Sequence, residues 1–270
     1  MHLKRWITGL TALPFLILLI SKGGSIAFAV FISIVSIIAL FEYYEIVLYP
    51  QKMQSIKNAL PLISYLFGII IIFVVYRDMP DMVSFLIVFN LIISGFISLF
   101  KFKTNKDIIW LVVKQLTGLI YIPLFLSYLI LIRNGSDGIA WIYFLLILVF
   151  AGDTGAFYAG TYFGKHKLCP SVSPGKTIEG SLGGLGLNIV AGGIFKYYFL
   201  SSYSWWISIL LFICVGIAGQ IGDLFESELK RSAGVKDSGS ILPGHGGILD
   251  RIDALLFAAP VAWVFKEFLF

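Results

Sequence analysis

The sequence predicts an all-α, polytopic integral membrane protein that crosses the membrane about nine times. Of its 270 residues, 59% are hydrophobic and only 13% are charged, whereas soluble globular proteins carry about 25% charged residues. The mean hydropathy is +0.93. The apolar residues fall in blocks long enough to cross the roughly 30 Å hydrocarbon layer as helices, and these blocks lack the alternating pattern of a membrane β-barrel. This composition excludes a soluble enzyme.

Nine apolar blocks predict the helices in chain order. The first block follows Lys4 and Arg5, as the apolar region of a signal peptide would. The apolar run nevertheless continues to Val47, and Ser21-Lys22-Gly23-Gly24 is typical of a tight turn, so we predict two spans there. We place the nine spans at residues 6–20, 26–49, 58–76, 82–100, 107–132, 139–163, 178–199, 205–229 and 252–269.

The distribution of Lys and Arg predicts which side of the membrane each loop faces. Nine spans place alternate loops on opposite sides, and fifteen of the 20 Lys and Arg residues then fall on one side. Because short basic loops stay in the cytoplasm, we expect the N-terminus and the polar loops 164–177 and 230–249 to be cytoplasmic. These loops also account for the net charge of +5, so we expect no nucleic-acid partner.

Acidic residues divide the chain into two regions. Residues 1–138 carry few charges inside their spans, and three roles stay open for them: scaffold, lipid entrance or contact with a second copy in a homo-oligomer. Carboxylates at membrane depth are costly and persist mainly where they face a wet cavity, an ion or a partner charge. We therefore expect the chemistry in residues 139–270. The acidic residues that we single out there, in or at the ends of spans, are Asp153, Glu179, Asp223, Glu226, Asp250 and Asp253.

Asp153 is the acidic residue that lies deepest in a predicted span. It follows about fourteen residues of the sixth span and stands between Gly152 and Gly155. The glycines would let another backbone or a ligand come close. Two interpretations stay open, which are a functional carboxylate facing a cavity and a hydrogen-bonded Asp where two helices pack. The pattern favours the first.

Two pairs of carboxylates are predicted at the cytoplasmic ends of the last two spans. Asp223 and Glu226 lie three residues apart and share a helix face with Ser227 and Lys230. Asp250 and Asp253 repeat this spacing at the start of the ninth span. Four acidic oxygen donors at one depth suit Mg²⁺, with substrate phosphates completing its octahedron. The alternative is a set of plain salt bridges with Lys230 and Arg251.

Two cytoplasmic loops have the composition of a polyphosphate site. Residues 230–250 are rich in Gly, Ser and basic residues, and so are residues 173–179. Small residues let backbone N–H groups approach anionic oxygens, and basic side chains supply charge. The Gly-Lys-Thr at 175–177 is not a P-loop, because Pro170 stands where that motif needs glycine. The glycines that open the seventh span predict close helix packing.

Residues 227–253 resemble the hallmark of phosphatidate cytidylyltransferases, also called CDP-diacylglycerol synthases. They fit the pattern S-x-L-K-R-x4-K-D-x-G-x2-L-P-G-H-G-G-x-x-D-R-x-D at every fixed position. Residues 152–156 and 173–180 are also similar to stretches typical of that family. The resemblance covers residues 152–253, whereas the first five spans resemble the family only in being hydrophobic.

The resemblance implies that CTP and phosphatidic acid give CDP-diacylglycerol and diphosphate in phospholipid biosynthesis, with Mg²⁺ and room for a second cation. Asp223 and Asp250 would bind the metal, with Glu226 and Asp253 ligating or orienting beside them. Lys230, Lys236 and Asp253 would join Asp223 and Asp250 in catalysis. The expected contacts to CTP and its phosphates are Asp153, Lys176, Lys230, Arg231, Lys236, His245 and Arg251, although His245 could equally shape the loop. The active site would face the cytoplasm from the inner membrane.

Three other functions compete with this interpretation. A transporter would place acidic residues near the bilayer midplane within an inverted repeat, and no repeat is present in the sequence. A CTP-dependent polyprenol or phytol kinase would lack the complete motif at 227–253. A CDP-alcohol phosphotransferase would need an acidic D-G-x2-A-R motif, which the sequence lacks.

Overall fold

The computed structural model describes residues 13–48, 59–241 and 246–270. This part of the chain contains nine helical segments and one two-stranded sheet. In chain order these are α1 (Leu13–Lys22), α2 (Gly24–Val47), α3 (Ala59–Tyr76), α4 (Met82–Lys101), α5 (Ile108–Asn134), α6 (Gly138–Phe163), β1 (Lys167–Cys169), β2 (Ser173–Thr177), α7 (Ile178–Phe199), α8 (Trp205–Ser232) and α9 (Leu249–Phe268).

Six helices in the described residues are long and apolar enough to cross a membrane: α2, α4, α5, α6, α7 and α8. α1 and α3 belong to a shorter class of apolar helices. Large apolar side chains such as Trp206, Leu99 and Phe100 are exposed on the surface of these helices, as expected where lipid rather than water surrounds them. The helical membrane class is therefore supported. The count of nine spans and the side of the N-terminus stay predictions, and residues 6–12 and 49–58 lie outside the described residues.

The first compact unit comprises residues 1–134 together with 232–249. A buried polar network joins its helices α2, α3, α4 and α5. Tyr44 Oη donates to Ser64 Oγ over 2.6 Å, and Gln115 Nε2 donates both to Ser64 Oγ over 2.8 Å and to Asn90 Oδ1 over 3.0 Å. Because buried polar groups are costly without partners, this network specifies how the helices pack.

A π-helical turn interrupts α5 at Ile120–Leu124. It contains Pro123, which has no N–H to donate and which cannot sit in a regular α-helix without a clash. Gly68 of α3 faces this proline, and a Cβ on Gly68 would lie 2.9 Å from Pro123 Cγ. The bulge and the glycine therefore fit each other within the first unit.

The second compact unit comprises residues 135–231 and 250–270. Its helices α6 and α7 pack backbone to backbone through glycines. A Cβ on Gly155 would lie 2.7 Å from the Gly183 carbonyl oxygen, and a Cβ on Gly184 would lie 2.8 Å from the Gly152 carbonyl oxygen. The close packing predicted for the glycines of the seventh span is confirmed at these positions, whereas Gly186 faces open space.

A β-hairpin precedes α7, within residues 164–177, for which the sequence predicts only a polar loop. β1 and β2 pair antiparallel, with Lys167 opposite Thr177. Thr177 also caps α7, because its Oγ1 accepts from the Gly180 N–H over 3.1 Å. Glu179 accepts from the backbone N–H groups of Lys165 and His166. These contacts of Thr177 and Glu179 stabilise the hairpin. They do so although β2 contains Gly and Pro, which are rare in strands.

Candidate active site

A cavity of about 520 Å³ lies in the second unit, bounded by α6, the hairpin, α7 and α8. Polar side chains from four elements line part of its wall. Asp153 comes from α6, Lys176 from β2, Ser181 from α7, and Gln220 and Asp223 from α8. Two of the stretches that resembled the cytidylyltransferase family, 152–156 and 173–180, therefore line one space.

Lys176 and Asp223 form an ion pair in this cavity, with 2.6 Å between Nζ and Oδ2. The two side chains are 27% and 35% exposed, so solvent and solutes reach both charges. The hairpin presents the lysine, and the cytoplasm-facing end predicted for α8 presents the carboxylate. A predicted phosphate contact and a predicted metal ligand are thus brought together.

Asp153 faces the cavity rather than a helix interface. It lies within electrostatic range of Asp223, Lys176 and Arg251, while its neighbours Gly152 and Gly155 make the close contacts to α7. The geometry favours the cavity-facing interpretation of this carboxylate, and it assigns the packing role to the glycines.

Asp253 of α9 adds a third carboxylate to this group. It lies within electrostatic range of Asp223 and Asp153, and its Oδ1 accepts from the Ala254 N–H over 2.8 Å. The contact between α8 and α9 is close at this depth, because a Cβ on Gly222 would lie 2.5 Å from the Asp253 carbonyl oxygen. Three helices therefore bring three acidic side chains near one another.

Lys230 bridges the other two predicted metal ligands. Its Nζ lies 2.6 Å from Glu226 Oε2 and 2.6 Å from Asp250 Oδ1. All three side chains are buried or nearly so, and Glu226 is completely buried. A buried lysine between two carboxylates joins the end of α8 to the start of α9. At these residues the structure has the salt bridges that the sequence analysis kept as an alternative.

The four carboxylates predicted as metal ligands do not form a single cluster. Across residues 13–48, 59–241 and 246–270, no group of three or more His, Cys, Asp or Glu side chains could hold an ion. Three of these acids pair with lysines, Asp223 with Lys176 and both Glu226 and Asp250 with Lys230. Mg²⁺ is often bound by one or two carboxylates with waters and substrate phosphates, and the acidic side chains at this end fit that mode.

The remaining predicted phosphate contacts lie in different places. Arg231 Nε donates to the Val172 carbonyl oxygen over 3.2 Å and so ties the end of α8 to the hairpin. Arg251 is exposed, within electrostatic range of Asp153. Lys236 is exposed in the segment 232–249, which is part of the first unit. His245 lies outside the described residues.

Comparison with known proteins assigns the family. Residues 3–269 match the cytidylyltransferase family. This chain belongs to that family. It is 35% identical over 260 residues to a phosphatidate cytidylyltransferase of Staphylococcus saprophyticus, an alignment that covers 95% of this chain and 96% of the relative. A Staphylococcus epidermidis protein of the same name is 33% identical over 257 residues, with the same coverage. A third, from Staphylococcus haemolyticus, is 47% identical over 126 residues, about half of each chain.

Ser181 and Gln220 line the cavity of this cytidylyltransferase but were not predicted as site residues from the sequence. Ser181 Oγ donates to Gln220 Oε1, and Gln220 Nε2 donates back to the Ser181 carbonyl oxygen over 3.0 Å. This reciprocal pair holds α7 to α8 beside the Lys176–Asp223 ion pair. Gln220 lies three residues before Asp223 in an apolar span, so the helical spacing applied to Glu226 would have found it.

The cavity of the cytidylyltransferase can hold a charged group beside membrane helices. Lys176 supplies one positive charge, and Asp153 and Asp223 supply two negative ones. Lysine binds phosphate oxygens, and carboxylates bind hydroxyl groups or cations. An anionic substrate bound together with a divalent cation would therefore find partners of both signs.

Proposed function

We propose that this protein is a phosphatidate cytidylyltransferase, which converts CTP and phosphatidic acid into CDP-diacylglycerol and diphosphate. The observation that carries the proposal is the cavity in which Lys176 and Asp223 meet beside Asp153. Relatives that bear this name align over almost the whole chain. Apolar helices and bacterial relatives support a place in the cell membrane, where phosphatidic acid and the CDP-diacylglycerol product reside.

The reaction joins two anions, which explains the charges of the cavity. An oxygen of the phosphatidate phosphate attacks the α-phosphorus of CTP, a new P–O bond forms, and the bond from that phosphorus to the bridging oxygen breaks. Diphosphate leaves with the bond electrons. The attacking phosphate monoester is already anionic at neutral pH, so no strong general base is needed. The protein has to hold the reactants in line and to offset their negative charge.

Lys176 is placed to offset the charge of the nucleotide. Its ammonium group is held by Asp223 but remains partly exposed to the cavity. Phosphate oxygens can share such an ammonium group with the carboxylate, because lysine has three donors. Lys230 has a different role in this proposal, since its buried contacts with Glu226 and Asp250 orient those carboxylates rather than reach the nucleotide directly.

We further propose Mg²⁺ as the cofactor, with Asp223 and Asp250 as its protein ligands and Glu226 and Asp253 beside them. When bound, the ion would neutralise the triphosphate and stabilise the leaving diphosphate. Support comes from the chemistry of the donors, since two carboxylates with substrate oxygens form a common Mg²⁺ site. The active site would open to the cytoplasm, as the distribution of basic residues predicts.

The test uses purified protein in detergent with phosphatidic acid, Mg²⁺ and CTP labelled at either the α- or the γ-phosphate. A phosphatidate cytidylyltransferase carries the α-label into the lipid phase as CDP-diacylglycerol and releases the γ-label as diphosphate. Each component should be required. Transfer of the γ-label to lipid, with CDP left in water, would identify a lipid kinase and overturn the proposal.

A further inference from the structure

Glu42 is a buried carboxylate of α2, in the region where the sequence analysis expected no chemistry. Only 1% of its surface is exposed. From the described residues its oxygens accept hydrogen bonds from Ser238 Oγ over 3.1 Å, from the Ile248 N–H over 2.9 Å and from the Leu249 N–H over 2.7 Å. One side chain therefore holds two separate parts of the segment 232–249, and all of these residues lie within the first unit.

Two glycines of the same segment allow this approach. A Cβ on Gly239 would lie 2.7 Å from Glu42 Oε1, and a Cβ on Gly247 would lie 2.5 Å from Glu42 Oε2. Both distances are shorter than those that Cβ atoms normally keep from an oxygen atom, so a side chain at either position would require the structure to shift. Gly239 and Gly247 are fixed positions of the pattern at 227–253, and Ser238 lies at a variable position of it. All three contact or border one carboxylate that lies 196 residues before Ser238.

The contact with Leu249 fixes the beginning of α9. The first N–H groups of a helix have no acceptor inside the helix, and a carboxylate placed there satisfies them and interacts favourably with the helix dipole. Glu42 fills this role for Ile248 and Leu249 from another helix. Asp250 is the next residue in the chain, so the first turn that carries Asp250 and Asp253 begins at a point held by Glu42.

We propose that Glu42 is a positioning residue for nucleotidyl transfer. It acts through the segment 232–249 and the first turn of α9, which carry Lys236, Asp250 and Asp253, and it need not touch the substrates. This inference rests on the proposed function for its catalytic part. Through Glu42, the N-terminal helices would contribute to the positioning of residues used in the reaction.

The test is Glu42→Gln, which keeps the size of the side chain but replaces one acceptor oxygen with a donor. Either Ile248 or Leu249 would then face an NH2 group and lose its acceptor. Because an unsatisfied buried donor is costly, we expect amide hydrogen exchange to accelerate at least about tenfold at one or both of these positions. We expect kcat per folded molecule to fall by about tenfold or more, with a smaller change in the KM for CTP.

Glu45→Gln is the matched control, since it makes the same chemical change one turn further along α2. It should keep wild-type exchange at Ile248 and Leu249 and wild-type kcat. Should Glu42→Gln fail to fold, Gly239→Ala tests the same contact by pressing a methyl group against Glu42 Oε1. It should accelerate exchange at the same two amides.

Two results would overturn the inference. One is wild-type exchange at Ile248 and Leu249 in both Glu42→Gln and Gly239→Ala. The other is a folded Glu42→Gln protein with a lowered melting temperature and an unchanged kcat, which is what a merely structural role predicts. Wild-type protein that makes no CDP-diacylglycerol would instead overturn the proposed function, and this failure is recognisable because the exchange measurement requires no turnover.

Discussion

Lys176 of β2 and Asp223 of α8 form an ion pair of 2.6 Å at the wall of the polar cavity. From the sequence, separate roles are predicted for these residues, with Lys176 binding phosphate and Asp223 binding metal. Their contact means that each restrains the position of the other before any substrate binds.

Lys176→Met should lower the rate of CDP-diacylglycerol formation by about a hundredfold, because it removes a charge-assisted contact to the phosphates. The change keeps most of the apolar volume of the side chain. Lys167→Met is the control, since Lys167 lies in the same hairpin but does not line the cavity. Initial rates at saturating phosphatidic acid measure the effect. Equal rates for the two variants would remove Lys176 from the site.

Asp223→Asn and Asp250→Asn should each lower the rate by orders of magnitude while the protein still folds, if the two residues bind Mg²⁺. A carboxamide keeps the shape but loses the charge that the ion needs. Activity titrated with Mg²⁺ should show that both variants need more Mg²⁺ for half-maximal rate. Asp81→Asn, at an exposed position before α4, should behave like the wild type.

A purely structural role for these two carboxylates predicts a different pattern. Asp223→Asn would leave Lys176 without its partner, and Asp250→Asn would remove one of the two acids on Lys230. The melting temperature would then fall, and the folded fraction would keep its rate and its Mg²⁺ requirement. Fully active variants would refute the metal assignment without affecting the family membership.

Gly155→Ala should destabilise the protein by about 1–3 kcal/mol, because its Cβ would press on the backbone of α7. The new atom would lie 2.7 Å from the Gly183 carbonyl oxygen and 2.8 Å from Leu187 Cβ. Gly186→Ala, on the open side of α7, should be neutral or slightly stabilising. Thermal unfolding in detergent compares the two. A neutral Gly155→Ala would contradict the close packing of α6 and α7.

Cysteine labelling tests the predicted topology. In a background with Cys169 and Cys214 replaced by serine, Lys167→Cys and Lys236→Cys should react with an impermeant maleimide only from the cytoplasmic side. The external side requires an accessible position between α7 and α8. Lys196 is unsuitable because it is buried under Trp205, whereas Ser202 is exposed. Reaction of Lys236→Cys only from outside would refute both the nine-span topology and the access of cytosolic CTP.

The sequence predicted the helices well because each follows from a local property. Length and hydrophobicity of a block decide whether it can form a membrane helix, and predicted blocks such as 178–199 and 82–100 end within a residue of α7 and α4. The glycines at 183 and 184 were also readable, since small residues at helical spacing let backbones approach. The family motif was visible for the same reason, being continuous in the chain.

The role of Glu42 could not be predicted from the sequence. A buried carboxylate in an apolar helix is as costly at position 42 as at 153, so the sequence contained a sign of its importance. Its donors Ser238, Ile248 and Leu249, however, lie 196 to 207 residues later in the chain. No spacing rule connects residues so far apart, and only folding reveals which groups satisfy the carboxylate.

The sequence by itself therefore determined the membrane class, the positions of the helices and the set of charged residues available for chemistry. Only the tertiary structure decided their partners: Lys176 with Asp223, Lys230 with Glu226 and Asp250, and Glu42 with the start of α9. It also decided that the loop before α7 is a hairpin. The physical reason is that helix formation depends on neighbours along the chain, whereas ion pairs and hydrogen bonds depend on distances in space.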